Sequence, residues 1–464
     1  MKTDKYRIPV EKNMDLDLEL SSITDDGSGV GRYQGFTLMV PGALPGERIR
    51  AHVIKIQKSY AIAKLTEILQ ASPERVEPEC PVYGKCGGCQ WMHMAYPHQL
   101  TCKRDQVVSC LRRIGHISED VLPDEKILPV LGMEEWHHYR NKAQYPVQSI
   151  DGKLRSGFYA PHSHRLVPSD TCLIQSEKAV RLMPQVLEIA EKLQMTAYDE
   201  ISGKGELRHI LIRDDEETGE VSLCLVINAG HLSRKDEWIR EIDKLGIQSF
   251  SVNINRIRSN VILGPATKIV YGQPYMTAKI GDLQYHVSPV SFFQVNSLQV
   301  KVLYDQVREL LELENEDILW DAYCGAGTIG LYMARDVRKV YGVEIVPEAV
   351  ENARENARLN HIGNAEFFVG KAEEIMPEKI SQGLRAGKVV VDPPRSGCEK
   401  ALLDALLQMK PERIVYVSCN PSTLARDLEY LLIPGTYQIS LVQPVDMFPA
   451  SGHVETIAAL QRMD

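Results

Sequence analysis

The stretch from residue 318 to residue 460 constrains the fold most. Apolar, β-branched runs at 318–323, 339–343, 365–369, 388–391 and 413–418 alternate with helical patterns at 329–334, 348–360, 398–409 and 424–432. Neighbouring parallel strands cannot be joined by a tight turn and need a crossover, usually a helix. The alternation therefore predicts an α/β domain with a doubly wound parallel sheet, closed by an antiparallel pair at 437–445 and 453–460. Such sheets bind ligands beyond the carboxyl ends of their strands, so the residues at those ends carry the function.

The first strand runs into Asp321-x-x-x-Gly325-x-Gly327, a turn whose glycines let the backbone approach a ligand closely. It lacks the third glycine of a dinucleotide-binding turn. The second strand ends at Glu344, where a carboxylate can hold both hydroxyls of a ribose; a solvent-exposed strand end is the plainer reading. The fourth ends in Asp392-Pro393-Pro394-Arg395, a loop that the prolines keep off the helical path. Together these features fit S-adenosylmethionine.

The fifth strand delivers Cys419 in Ser418-Cys419-Asn420-Pro421, and a helix follows at once. The positive end of that helix is expected to lower the thiol pKa. A small apolar residue ending a buried strand is the alternative. Past the loop Pro449-Ala450-Ser451-Gly452, Glu455 enters the last strand near the mouth of the sheet, as a base or as a salt-bridge partner. A thiol, a carboxylate and a methyl donor above one sheet suit addition of the thiolate to C6 of a pyrimidine, methylation at C5 and removal of the C5 proton.

Upstream, residues 14–68 read as short strands punctuated by Gly27, Gly29, Gly31 and Gly35, the pattern of a small barrel. The wording Gly29-Val30-Gly31-Arg32 followed by Val40-Pro41-Gly42-Ala43-Leu44-Pro45-Gly46-Glu47 resembles a TRAM domain, an RNA-binding barrel. Its hairpin carries Arg48, Arg50, Lys55, Lys58 and Lys64 with Tyr60, which suits nucleic acid or a solvated basic face equally. The net charge of −9 argues only mildly against a polyanion, because only the facing surface must be basic. The charged start lacks the apolar core of a signal peptide, and no apolar stretch has membrane-spanning length; a cytoplasmic protein is expected.

In such a compartment, clustered cysteines point to metal or catalysis before disulfides. Cys80, Cys86 and Cys89, with Gly87-Gly88 between the last two, form a strong metal signature. Cys102 and Cys110 lie on a helical stretch at 99–113, whereas Cys172 sits in a turn-rich loop that can close a site, so Cys172 is the expected fourth ligand. Spacing leaves iron and zinc open. The region 117–280 reads as β-rich α+β, with Arg140, Asn141 and Lys142 available to RNA or to a loop beside the metal.

These motifs, with Phe292-Phe293-Gln294 and His453-Val454-Glu455-Thr456, resemble the RNA uracil-5-methyltransferase family in its TRAM-bearing, iron–sulfur branch that modifies ribosomal RNA. The resemblance spans nearly the whole chain. It implies an OB-like TRAM barrel at 10–70, a central α+β iron–sulfur domain at 75–94 and 117–282, and a Rossmann-like S-adenosylmethionine-dependent catalytic domain at 95–116 and 283–464. By position, Cys419 resembles the nucleophile and Glu455 the proton acceptor, while Gln294, Tyr323, Thr328, Glu344 and Asp392 match the methyl-donor site. Thr328 departs from relatives with Asn there. The resemblance further implies a [4Fe-4S] cluster on Cys80, Cys86, Cys89 and Cys172, and 5-methyluridine formation in 23S rRNA on a flipped or looped-out base. A monomer without membrane attachment is expected. The competing readings are a tRNA T-loop substrate, methylation of an amine or of cytosine, and a non-enzymatic RNA-binding protein.

Overall fold

The computed structural model describes residues 8–384 and 386–463. The chain begins with β1 (Asp15–Ile23), β2 (Ser28–Tyr33), β3 (Phe36–Pro41), β4 (Arg48–Ile56) and β5 (Tyr60–Gln70), which close a barrel in the order β1-β2-β3-β5-β4. Leu16, Leu18 and Leu20 alternate inward along β1 and meet Leu38, Val40, Ile49 and Val53. The basic hairpin is partly neutralised. Arg50 lies 3.0 Å from Asp17 and 2.9 Å from Glu67, and Arg48 lies 3.9 Å from Asp17. Among the described residues Lys55, Lys58 and Lys64 have no ion-pair partner.

Helix α1 (Tyr96–Arg113) starts with Pro97 in its first turn, where a missing N–H costs nothing. It buries Val107 and Leu111 in one core with Trp320, Leu424 and Leu428, so an N-terminal helix packs into the C-terminal sheet's layer. Residues 127–131 also lie against that layer: Ile127 and Leu131 bridge in parallel to Val442 and Val445, although the resemblance groups them with the central region.

The central region holds β6 (Lys142–Ile150), β7 (Lys153–Tyr159), β8 (Leu166–Pro168), α2 (Glu177–Lys192), β9 (Leu207–Asp214), β10 (Val221–Ile227), α3 (Lys235–Asp243), β11 (Ser249–Ile254) and β12 (Ala266–Gly272). The sheet order is β12-β11-β10-β9-β6-β7-β8. Its helices cover one face with Val186 and Trp238 over Ile210 and Phe250. Strands β9 and β10 are buried throughout, so the other face is covered too.

A hairpin of β13 (Met276–Ile280) and β14 (Leu283–Val287) leads to α4 (Ser297–Leu311). The sequence reading did not mark this helix, although Val300, Leu303, Tyr304, Val307 and Leu311 carry a helical period and are buried. Then follow β15 (Ile318–Ala322), α5 (Thr328–Met333), β16 (Lys339–Glu344), α6 (Pro347–Leu359), β17 (Ala365–Val369), α7 (Ala372–Ser381), β18 (Lys388–Val391), α8 (Lys400–Met409), β19 (Arg413–Ser418), α9 (Pro421–Leu432), β20 (Tyr437–Val445) and β21 (Glu455–Arg462). The order is β17-β16-β15-β18-β19-β21-β20, parallel through β19, with β21 and β20 antiparallel. The chain reverses its direction of progress at β15, which opens a crevice between the ends of β16, β15 and β18. No helix among the described residues is long and apolar enough to cross a membrane.

Candidate active site

At the end of β15 the backbone turns sharply: Tyr323, Gly325 and Gly327 have φ of 64°, 54° and 77°. A non-glycine residue in this left-handed region is strained, and here it rims the crevice. Glu344, at the end of β16, ties the turn down. Gly325 N donates to its Oε2 at 3.2 Å, and Val346 N donates to Oε1 at 2.9 Å. Each carboxylate oxygen keeps a lone pair for a ligand. Under the turn, Asp321 Oδ2 accepts from Gly330 N at 2.8 Å, while its buried Oδ1 has no partner. Burial pushes the Asp321 carboxyl up to about 8.

Thr328 opens α5, and its hydroxyl is hydrogen-bonded at 2.8 Å to that of Tyr304. The phenol of Tyr304 is held neutral, chiefly by burial and then by the charges of Asp392, Asp321 and Glu455. Tyr304 thus stands among the acids of the site, yet the sequence reading missed it because α4 was not marked. Gln294 accepts through its backbone oxygen from Asn141 Nδ2 at 3.0 Å. Asp392 is half-buried at the end of β18, and desolvation pushes it up to about 7.

Strands β19 and β21 end their ladder at Ser418 and Thr456; Cys419 follows directly on β19 and Glu455 opens β21 beside that end. Glu455 is 5% exposed. Burial, then the charge of Asp392, pushes its carboxyl up to about 8. The Cys419 thiol rises to about 11, first through burial and then through Glu455 and Asp392, with Arg395 opposing. This corrects the expectation that the following helix lowers the thiol. Cys419 lies before the cap residue Asn420, Pro421 has no N–H to offer, and Asn420 Oδ1 takes the Ser422 N–H at 3.1 Å.

Cys419 lines a cavity of about 150 Å³ with Arg395, Ser422, His453, Asp25 and Gln106. Asp25 comes from the barrel's first turn and Gln106 from α1. Turn chemistry in Thr24-Asp25-Asp26-Gly27 marks Asp25 as a loop residue, but nothing local to either residue in the sequence places it beside the thiol.

Cys80, Cys86, Cys89 and Cys172 line one cavity of about 400 Å³, together with Arg140, Lys142 and Phe158. Cys102 is buried instead against Leu44, Trp91 and Met94, and Cys110 lies 3.5 Å from the Ser422 hydroxyl. Among the described residues no three His, Cys, Asp or Glu side chains converge as a single ion requires. Burial raises the Cys86, Cys89 and Cys172 thiols, and neighbouring thiols add to the rise. A half-buried set of four cysteines that disfavour one another's ionisation is a donor set for a cationic, soft centre.

Comparison with known proteins shows the family and the fold. Residues 129–463 match the family model described as tRNA (uracil-5-)-methyltransferase, and residues 12–66 match the TRAM domain. An uncharacterized RNA methyltransferase of Halalkalibacterium halodurans is 46% identical, over 98% of this chain and 99% of its own. One of Clostridium tetani is 45% identical, over 98% of this chain and 97% of its own. The crystal structure of Pyrococcus abyssi tRNA (uracil-54, C5)-methyltransferase in complex with S-adenosyl-L-homocysteine superposes with a TM-score of 0.76 at 28% identity, covering 96% of this chain and all of that one. With a family match over most of its length and the strand-end residues arranged as described, the chain is an RNA methyltransferase that belongs to the RNA uracil-5-methyltransferase family and carries an N-terminal TRAM domain.

Proposed function

We propose that the protein methylates C5 of a uridine in 23S ribosomal RNA, using S-adenosylmethionine and a covalent bond from Cys419 to uracil C6. The observation that carries this reading is that Cys419, just past the end of β19, and Glu455, at the start of β21, lie within charge range of each other, with Asp392 within charge range of both. The donor supplies a methyl group on a sulfonium, and this chain's residues make C5 able to take it. Cys419 first gives its proton to solvent; the thiolate Sγ then bonds to C6, and the C5=C6 electron pair becomes available at C5. After methylation C5 holds both a proton and the methyl group. Glu455 takes the proton, the C5=C6 bond re-forms, and the C6–S bond breaks to return the thiolate. A carboxylate whose pKa burial has moved to about 8 is a base matched to neutral pH. Glu344 and the Gly325 turn would hold the donor, with Gln294, Tyr323, Thr328 and Asp392 as further lining.

Two variants and one RNA analogue test the reading. Cys419→Ala is expected to lose turnover while still binding S-adenosylmethionine. Wild-type protein and 5-fluorouridine-substituted RNA are expected to stall as a covalent adduct, because fluorine cannot leave as a proton. Turnover by Cys419→Ala at the normal rate would refute covalent catalysis. No adduct would favour a pure RNA-binding module.

The ribosomal assignment rests on the likeness of the motif set to the branch that modifies ribosomal RNA. The Pyrococcus abyssi structure, named for a tRNA uracil, favours a second reading on a tRNA T-loop. The barrel does not separate them, since that protein aligns over nearly all of this chain. Methylation of purified ribosomal RNA beside tRNA does, and labelling confined to tRNA would overturn the first choice.

The four cysteines around the large cavity are proposed to hold a [4Fe-4S] cluster. What supports the reading is that all four cysteines line one cavity of about 400 Å³ and that thiols are soft donors; the choice of iron over zinc rests on the family resemblance. Brown colour with iron and acid-labile sulfide after anaerobic purification is expected. A colourless protein with one zinc per chain would refute the assignment. Methyl transfer moves no electron, so the centre's part is to hold the fold or the RNA.

A further inference from the structure

The loop that leads to Glu455 is held by the cysteine segment and by α1 rather than by its own sheet. Ala450 sits at φ 63°, a left-handed conformation that an alanine adopts only under restraint. Its oxygen accepts from both Gln90 N and Trp91 N at 3.0 Å, the two amides directly after Cys89. Its N–H donates to Gln99 Oε1 at 3.0 Å. The same Gln99 amide donates from Nε2 to Trp91 O at 3.1 Å and to Met94 O at 2.9 Å. Gln99 is 1% exposed, and its amide makes three bonds, both hydrogens of Nε2 being donated and Oε1 accepting from Ala450 N. One side chain of α1 thus fastens the loop and the cysteine segment to each other.

The start of the loop is fastened from α1 as well. Asp446 Oδ1 accepts from Lys103 Nζ at 2.5 Å and from Phe448 N at 3.0 Å, and Oδ2 accepts from Tyr96 OH at 3.0 Å. Beyond Ala450, a Cβ on Gly452 would lie 2.3 Å from Asp25 O, so the barrel presses on the loop three residues before Glu455. Nearer its start the loop is also held from elsewhere, Asn296 Nδ2 donating to Met447 O at 3.2 Å and Tyr139 OH to Pro449 O at 3.4 Å, but the bonds at Ala450 itself all run to residues 90–99.

We propose that Gln99 is a positioning residue for Glu455, locking the approach loop in register with the segment that carries Cys86 and Cys89. The proposal rests on the reading of Glu455 as the base that takes the C5 proton. A base displaced by about an ångström loses its proton transfer before anything else. Addition of Cys419 and methylation need no help from Glu455, so a loosened loop leaves the enzyme bonded to methylated RNA.

The test is an SDS-resistant enzyme–RNA band that carries labelled methyl, formed on ordinary, unfluorinated RNA. Gln99→Met keeps the volume and removes the amide. It is expected to lower kcat about 10²-fold, to leave KM for RNA and S-adenosylhomocysteine binding unchanged, and to accumulate the band. Tyr96→Phe, a milder loss at the same loop, is expected to accumulate less of it, and it carries the test if Gln99→Met fails to bind S-adenosylhomocysteine. Wild-type turnover in both variants, or slow turnover without the band, would overturn the proposal. Glu455→Gln is the reference: absence of the band there would refute the covalent reading itself rather than the positioning role of Gln99.

Discussion

Replacing Glu455 by Gln is expected to stabilise the fold at neutral pH while ending turnover. Burial, then Asp392, moves this carboxyl from 4.5 to about 8. A folded-state pKa above the unfolded one means that the native protein keeps a proton which the unfolded chain releases. The stability this group contributes is therefore fully present below about pH 4.5 and is lost as pH rises through about 8. At pH 7 the loss spans about 2.5 pH units, or about 3 kcal/mol at 1.36 kcal/mol per unit. Glutamine has nearly the same shape and no proton to release, so it escapes the loss. Equilibrium urea unfolding of both proteins should coincide near pH 4.5 and diverge toward pH 7. With a slope of about 3 kcal/mol per molar urea, the variant's midpoint should lie roughly 1 M higher at pH 7. Equal midpoints at pH 7, or a less stable variant, would show that Glu455 ionises freely in the fold and would remove the basis for treating it as a base tuned to neutral pH. The same substitution removes a negative neighbour from Cys419, so its thiol should react faster with iodoacetamide at pH 8, read on the peptide that contains it.

Three further outcomes are expected. The rate of adduct breakdown in single-turnover experiments should rise with pH through about 8 and then level, because Glu455 acts only when ionised; a flat profile would assign the proton to another group. Lys103→Met leaves Asp446 buried without its cation, and the loss of about 3–5 kcal/mol should be largely recovered by adding Asp446→Asn, both measured by urea unfolding. Gly452→Ala drives a Cβ against the barrel's Asp25 backbone and should cost about 1–3 kcal/mol, read by urea unfolding; wild-type stability would mean that the barrel gives way freely.

The sequence alone determined the catalytic sheet. Its strands are short, apolar and separated by helical periods, so a local pattern fixes both element type and parallel topology, and the strand ends then name Glu344, Asp392 and Cys419 without coordinates. The cysteine spacing and the Cys172 loop were legible for the same reason: glycines and turn residues mark where backbone can wrap. What depended on three dimensions was the state of those groups and their company. The helix after Cys419 promised a lowered thiol, but its end is capped by Asn420, and the carboxylates that raise the thiol come from β18 and β21. The basic hairpin left RNA binding and a solvated face even, and the structure pairs Arg50 with its cross-strand neighbours Asp17 on β1 and Glu67 on β5. Gln106 and Gln99 have no signal of their own, because their places beside Cys419 and the Ala450 loop depend on α1 crossing to the C-terminal sheet, a contact some 300 residues away in the chain. Periodicity and turn chemistry act over a few residues, whereas burial and charge are set by whatever the fold brings alongside. The sequence therefore determined which groups stand at the sheet's edge, and the tertiary structure decided their protonation and what holds them there.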